Sequence, residues 1–283
     1  MAVDKIRGIS RNENIGRIEG TSRSVDINNV EYVFREHFDF SEIPFDGEMR
    51  GEETEIELLI QILLALFQDI VLDGCQIIPR GALVSGQKRI EASFKPPANK
   101  KTKPTIYVPL PDIAQSIDAI DHTLTWQRQR VLNEIAMLVD LLSKRLTNYD
   151  LIKLIVLMSH EYGHYISYRN GNHTTELRRG LSLLHSNSPF KNENDRYAFQ
   201  VFSEEATAWR IAEEKLTAYK FAWWNILEGI KYSSLKFYYK CLNLENASID
   251  TYCRLSMLGV DLTKVSVAKS SASNIILQQN IMR

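Results

Sequence analysis

Between Leu154 and Tyr168 the chain carries a single charged residue, Glu161, and it stands inside His160-Glu161-Tyr162-Gly163-His164. A stretch this poor in charge is a buried one, so the fold must bury two imidazoles and a carboxylate side by side. The flanks read as a helix with proper ends. Thr147 or Asn148 can cap it, Asp150 sits in its first turn, and Asn170-Gly171 can stop it. The expected helix runs from Tyr149 to Tyr168. Histidines four apart on a helix project from one face, one turn from each other.

That spacing lets both imidazoles bind one zinc ion. Glu161 does not point at the metal with them, but it can reach a water at the metal, take its proton and pass it to a leaving amine. Gly163 costs about 1 kcal/mol relative to Ala inside a helix, so its presence suggests that another element approaches closely there.

Two histidines leave a catalytic zinc one protein ligand short. A histidine six residues after His164 would supply the metzincin pattern, but that position is Asn170. His173 follows the helix stop at a spacing that fits no known pattern. The better candidates lie on a later helix, Asp195 to Leu216. The helical neighbours of Glu205 are Ala198, Val201, Phe202, Ala208, Trp209 and Ala212, all apolar. Those of Glu204 are mixed. A carboxylate in an apolar stripe is costly unless paired or metal-bound, so Glu205 is the expected ligand. Glu204 is the alternative; whichever of the two is not the ligand accepts a hydrogen bond behind the site or stays a surface charge.

His160-Glu161-x-x-His164 followed by Glu205-x-x-Ala208 resembles the gluzincin branch of the zincin metallopeptidases. Glu205-x-x-Ala208-x-x-x-Ala212 is also similar to the ImmA/IrrE-like minimal metallopeptidases, which are cytoplasmic and cleave regulatory proteins. The resemblance spans roughly residues 105–217. It implies a zinc-dependent endopeptidase acting on an intracellular protein or peptide. Zinc would be held by His160, His164 and Glu205, and Glu161 would be the general base. The pattern departs at Trp209, where such families often carry an acid or amide that steadies a ligating histidine, so another group must do so here. Candidates for stabilising the oxyanion are His185, Tyr197 and Tyr168. The departure also leaves room for a zincin-fold binding or regulatory protein that keeps the metal but cleaves nothing.

The remaining chain supports a mainly helical α+β fold, with a small antiparallel sheet packed on helices. Strands are expected at Gln76–Ile78, Arg89–Phe94 and Thr105–Leu110, and helices at Glu52–Leu72, Leu124–Leu146, Phe221–Leu242 and Ile249–Leu258. Pro109 and Pro111 suggest that the last strand is an edge, which in a zincin would bind substrate by strand addition. Asn172 to Asn194 reads as a polar connector or lid. Residues 1–50 are expected to be an arm with a short helix at Val25–His37, residues 51–262 the metallopeptidase-like domain, and residues 263–283 a mobile tail. A net charge of −1 gives no basic excess for nucleic acid. Three scattered cysteines, and no apolar core for a secretion signal in Met1 to Asn12, point to the cytoplasm.

Overall fold

The computed structural model describes residues 53–81, 92–99, 101–110, 128–186, 190 and 195–266. The expected N-terminal arm, the Val25–His37 helix and the tail beyond Ser266 lie outside the described residues. The chain enters with helix α1 (Glu53–Leu72), whose Leu59, Leu63, Leu66, Phe67 and Ile70 form one buried face. Gly74, at φ +99, closes this helix, with the Gly74 and Cys75 amides bonding back to Val71 and Ile70.

Three strands follow: β1 (Gln76–Gly81), β2 (Ser93–Lys95) and β3 (Thr105–Leu110). The sheet is mixed, in the order β1-β3-β2, with β1 parallel and β2 antiparallel to β3. This corrects two expectations: the sheet is not antiparallel, and Thr105–Leu110 is its central strand. Ile106 and Val108 are fully buried, as suits a strand with neighbours on both sides. The proline at 109 is tolerated because β2 pairs only with Thr105–Tyr107 and stops before Pro109 would have to donate to it. The edge nearest the site is β2.

The rest is helical: α2 (Arg128–Arg145), α3 (Asn148–Arg169), α4 (Thr175–His185), α5 (Asp195–Ala218), α6 (Trp224–Cys241), a 3-10 turn (Leu244–Asn246), α7 (Ile249–Ser256) and α8 (Leu262–Val265). α4 occupies the segment expected to be a connector. Thr174 caps it by accepting from the Leu177 amide, and Leu177 and Leu181, four apart, are buried. Among the described residues no helix is long and apolar enough to cross a membrane.

Helix α3 is the axis of the fold. It packs on α5, α1, α2, α6 and the sheet, and residues 154–165 are buried without interruption. Thr147 supplies its cap, accepting from the Asp150 amide at 3.2 Å. The closest crossing is with α5: a Cβ on Gly163 would overlap the Ala208 carbonyl oxygen and lie 2.8 Å from the Ala208 Cα. The glycine thus lets the two backbones touch where the polar residues of both helices converge.

Candidate metal centre

The Gly163–Ala208 contact fixes which side chains meet. His160 and His164 leave α3 on the same face and bring their Nε2 atoms to 3.1 Å. Glu205, from α5, places Oε2 3.3 Å from His160 Nε2 and Oε1 3.4 Å from His164 Nε2. All three residues are buried, Glu205 completely. Among the described residues neither Glu205 oxygen has a well-aligned hydrogen-bond donor and His160 Nδ1 has no hydrogen-bond partner. A buried carboxylate left this way is costly by several kcal/mol. Three ligand atoms about one tetrahedral centre with bonds of about 2.0–2.1 Å would lie ~3.3–3.4 Å apart. The Nε2–Nε2 spacing of 3.1 Å is close to that, and each of the two nitrogens has its own Glu205 oxygen at a similar distance, 3.3 and 3.4 Å. These three residues therefore form a group that could hold a metal ion.

Glu204, one residue before Glu205, points at the other side of the His164 imidazole. Its Oε1 lies 3.2 Å from His164 Nδ1, and its Oε2 accepts from Ser167 Oγ at 2.7 Å. His173 Nε2 stands 3.6 Å from the same carboxylate. Glu204 is thus placed to accept a proton from His164 Nδ1 and to fix the ring so that Nε2 faces Glu205. Trp209 stacks flat on His160, with ring centroids 4.1 Å apart, and its indole N–H donates to Ser234.

Electrostatics follow from this arrangement. Burial pushes His160 below the ordinary histidine value, and the neighbouring His164 charge adds to the effect. For His164 burial acts in the same direction, but the Glu205 charge and the Glu204 contact outweigh it and hold the ring well above its ordinary value. Burial would raise Glu205, yet His164 and the His160 contact keep it below the usual carboxylate range. Without metal, the charge of the cluster therefore rests on His164 and the two glutamates.

Comparison of the chain with protein-family models, with curated proteins and with solved structures finds no match.

Glu161 lies beside the cluster rather than in it. It is 4% exposed, and its Oε2 accepts the Phe94 amide from β2 at 2.6 Å. Burial pushes its carboxyl up to about 7; the Glu205 charge adds to the rise, and His164 and the Phe94 amide oppose it. Such a group can both take and give a proton near neutral pH.

The other expected site residues are placed differently. Tyr197 is buried where α5 meets α4, its hydroxyl accepts from Arg196 at 2.5 Å, and Arg179 and Arg196 flank its ring. That hydroxyl is engaged by an arginine rather than by the cluster. His185 ends α4, and its side chain lies outside the described residues. Tyr168 packs on Phe94 and His173. The residue that sequence reasoning set aside is His173, which joins the site through Glu204. Its signal is its position directly before the Thr174 cap of α4.

Proposed function

We propose that the protein is a zinc-dependent peptide hydrolase of gluzincin type, its metal held by His160, His164 and Glu205. The observation that carries this reading is the Glu205 carboxylate: fully buried, without an aligned donor among the described residues, and with one oxygen 3.3 Å from His160 Nε2 and the other 3.4 Å from His164 Nε2. Zinc suits two neutral nitrogens and one carboxylate, with a fourth position left for reaction. When bound, the metal supplies Lewis acidity toward a carbonyl and makes a nearby water easier to deprotonate.

The chain's own residues do the rest. Glu161 takes the proton from the attacking water and returns it to the departing amide nitrogen, a double role that a carboxyl near 7 can fill. Glu204 and Ser167 hold His164 in one tautomer and one orientation. Trp209 fixes the plane of His160 by stacking. Burial of the cluster strengthens each of these interactions. The substrate is a protein or peptide, as the resemblance to the ImmA/IrrE-like enzymes suggests.

A second reading, a metal-keeping binding or regulatory protein without hydrolysis, draws support from Tyr197. Its hydroxyl is given to Arg196, which removes one candidate for stabilising an oxyanion.

The deciding experiment is elemental analysis of purified wild-type protein beside the Glu205→Ala, Glu204→Ala and Glu161→Gln variants, with hydrolysis of a denatured-protein peptide pool measured in parallel. The proposal expects near-stoichiometric zinc in the wild type, loss in Glu205→Ala, and full zinc without hydrolysis in Glu161→Gln. Zinc absent from the wild type even after addition would overturn it. Hydrolysis unchanged in Glu161→Gln would remove Glu161 from the mechanism, and zinc binding with no hydrolysis in the wild type would favour the second reading.

A further inference from the structure

We infer that the junction of α4 and α5 carries a binding site for a phosphate group, built by Arg179 and Arg196 on the ring of Tyr197. Tyr197 precedes Glu204 by two turns of α5, which puts this site ~10 Å along the helix from the metal cluster. The inference is independent of the hydrolase reading. The Tyr197 ring is buried and serves as a fixed platform. The guanidinium carbon of Arg179, from α4, stands 5.2 Å from the centre of that ring, and that of Arg196, from α5, stands 4.6 Å from it. Arg196 also donates to the Tyr197 hydroxyl at 2.5 Å, which engages one of its N–H groups and fixes its direction. Both arginines are exposed, so a ligand can reach their other donors.

What these residues lack is a counter-charge. Arg130, Arg169 and Arg210 each face a carboxylate at 3.4 Å or less. Arg178, Arg179 and Arg196 form no ion pair among the described residues. Arg178, next to Arg179 on α4, also has a buried Nε without a hydrogen-bond partner. The acids closest in sequence do not compensate. Asp195 accepts the Ser248 amide at 2.8 Å, and Glu176, in the first turn of α4, pairs with none of the three. Two guanidiniums gathered on one ring repel each other, and a buried donor without a partner is costly. An anion shared by the two removes the repulsion.

The ligand class follows from charge and shape. A carboxylate brings one charge and two oxygens to a site with three arginines. A phosphate group brings close to two charges near neutral pH and three strong acceptor oxygens, which suit the planar fork of each guanidinium. Arg196 lies in the first turn of α5, a helix of 24 residues, so the helix dipole adds positive potential at the same place.

The test is titration calorimetry of the full-length protein with sodium phosphate at constant ionic strength. It compares wild type with Arg179→Gln, Arg196→Gln and Glu205→Ala. Wild type should bind inorganic phosphate with a Kd of ~1 mM or tighter. Each arginine variant should bind at least about tenfold more weakly, and acetate should bind wild type at least about tenfold more weakly than phosphate does. Glu205→Ala should bind phosphate as wild type does, since the metal cluster takes no part. Arg179 is exposed, so Arg179→Gln carries the comparison alone should Arg196→Gln fail to fold. Undetectable phosphate binding in wild type, or unchanged binding in the arginine variants, overturns the inference. Loss confined to Glu205→Ala places the phosphate on the metal cluster and overturns it too. Acetate bound as tightly as phosphate overturns the choice of phosphate. Zinc content, measured on the same preparations, decides the hydrolase reading separately. A phosphoserine peptide then separates the sources: binding at least about tenfold tighter than inorganic phosphate, and lost in the same variants, assigns a protein-borne phosphate, and binding no tighter assigns the free anion.

Discussion

Two carboxylate pairs lie against the α3–α5 unit, and their partners differ. At the end of α1, Asp73 receives the Tyr162 hydroxyl and faces Arg169 at 3.4 Å, while its backbone oxygen accepts from Tyr165. Asp69 accepts from Tyr219 and Lys215 at 2.6 Å each. Every one of these acids is matched by hydroxyl or cationic donors, and the result is a tie between α1, α3 and α5. In the second pair Glu204 is matched by His164 and Ser167, but Glu205 faces only two imidazole nitrogens at 3.3 and 3.4 Å. The first pair holds the helices together. In the second, Glu205 meets the two imidazoles without an aligned hydrogen bond, as suits a group placed to receive a metal rather than to brace the helices.

The sharpest way to break that contrast is to replace the unmatched acid. Glu205→Leu should abolish zinc binding, yet raise the thermal midpoint of the metal-free protein, because a buried carboxylate without an aligned donor gives way to an apolar side chain while Glu204 still neutralises His164. Wild type should gain about 4 kcal/mol of stability at zinc a thousandfold above Kd, and the variant none. Calorimetric scans with and without zinc check both signs. A variant that loses stability without metal would mean that Glu205 is a brace like Asp73.

Next in size is Gly163→Ala. The added methyl meets the backbone of Ala208, which cannot rotate away. Overpacking of this kind costs about 1–3 kcal/mol. By parting α3 from α5 it should also weaken zinc binding, whereas an alanine at exposed Gly171, where φ is +83 and nothing lies within 4 Å, should cost about 1 kcal/mol of backbone strain and leave zinc binding unchanged. Denaturant unfolding and zinc titration of the two variants make the comparison.

The third effect belongs to Glu204. Glu204→Gln keeps the shape but loses the charge that orients His164, and should weaken zinc binding about 10–100-fold. The same geometry sets a pH dependence. His164 is held above its ordinary value in the metal-free protein, so its charged form stabilises the fold below the unfolded value, and that contribution fades as pH rises through the folded one. Zinc must displace this proton. Binding near neutral pH should therefore release a proton and tighten with rising pH, measurable by titration calorimetry in buffers of different ionisation enthalpy. In Glu204→Gln the proton release should shrink.

Much of this centre is legible in the residues themselves. The α3 helix declares its ends through Thr147, Asp150 and Gly171, and its burial through the missing charges. Glu205 stands out by its apolar neighbours on α5. Glu204 does not, because what buries it is Ser167 and His164 on another helix, and a helix's own neighbours do not reveal its facing partner. Strand direction is hidden for a similar reason: β1 and β3 run parallel because the chain crosses over through β2 between them, and local alternation is the same for either sense. Helix α4 escaped notice because Arg178, Arg179 and Ser182 mask the Leu177–Leu181 spacing, and with it went the placement of His173.

The smallest predicted effect separates the two carboxylate pairs most cleanly. Tyr162 adjoins Glu161 in sequence, yet its hydroxyl turns to Asp73, away from the metal face of α3. Tyr162→Phe removes that one donor while Arg169 stays beside Asp73. The loss should be about 1 kcal/mol in unfolding free energy, with zinc content and chelator extraction rate unchanged. Zinc loss in this variant would mean that the braced side of α3 and the metal side act as one network. Unchanged zinc with a small stability loss would show that α3 keeps two independent faces, one spent on holding the fold and the other left free for a metal.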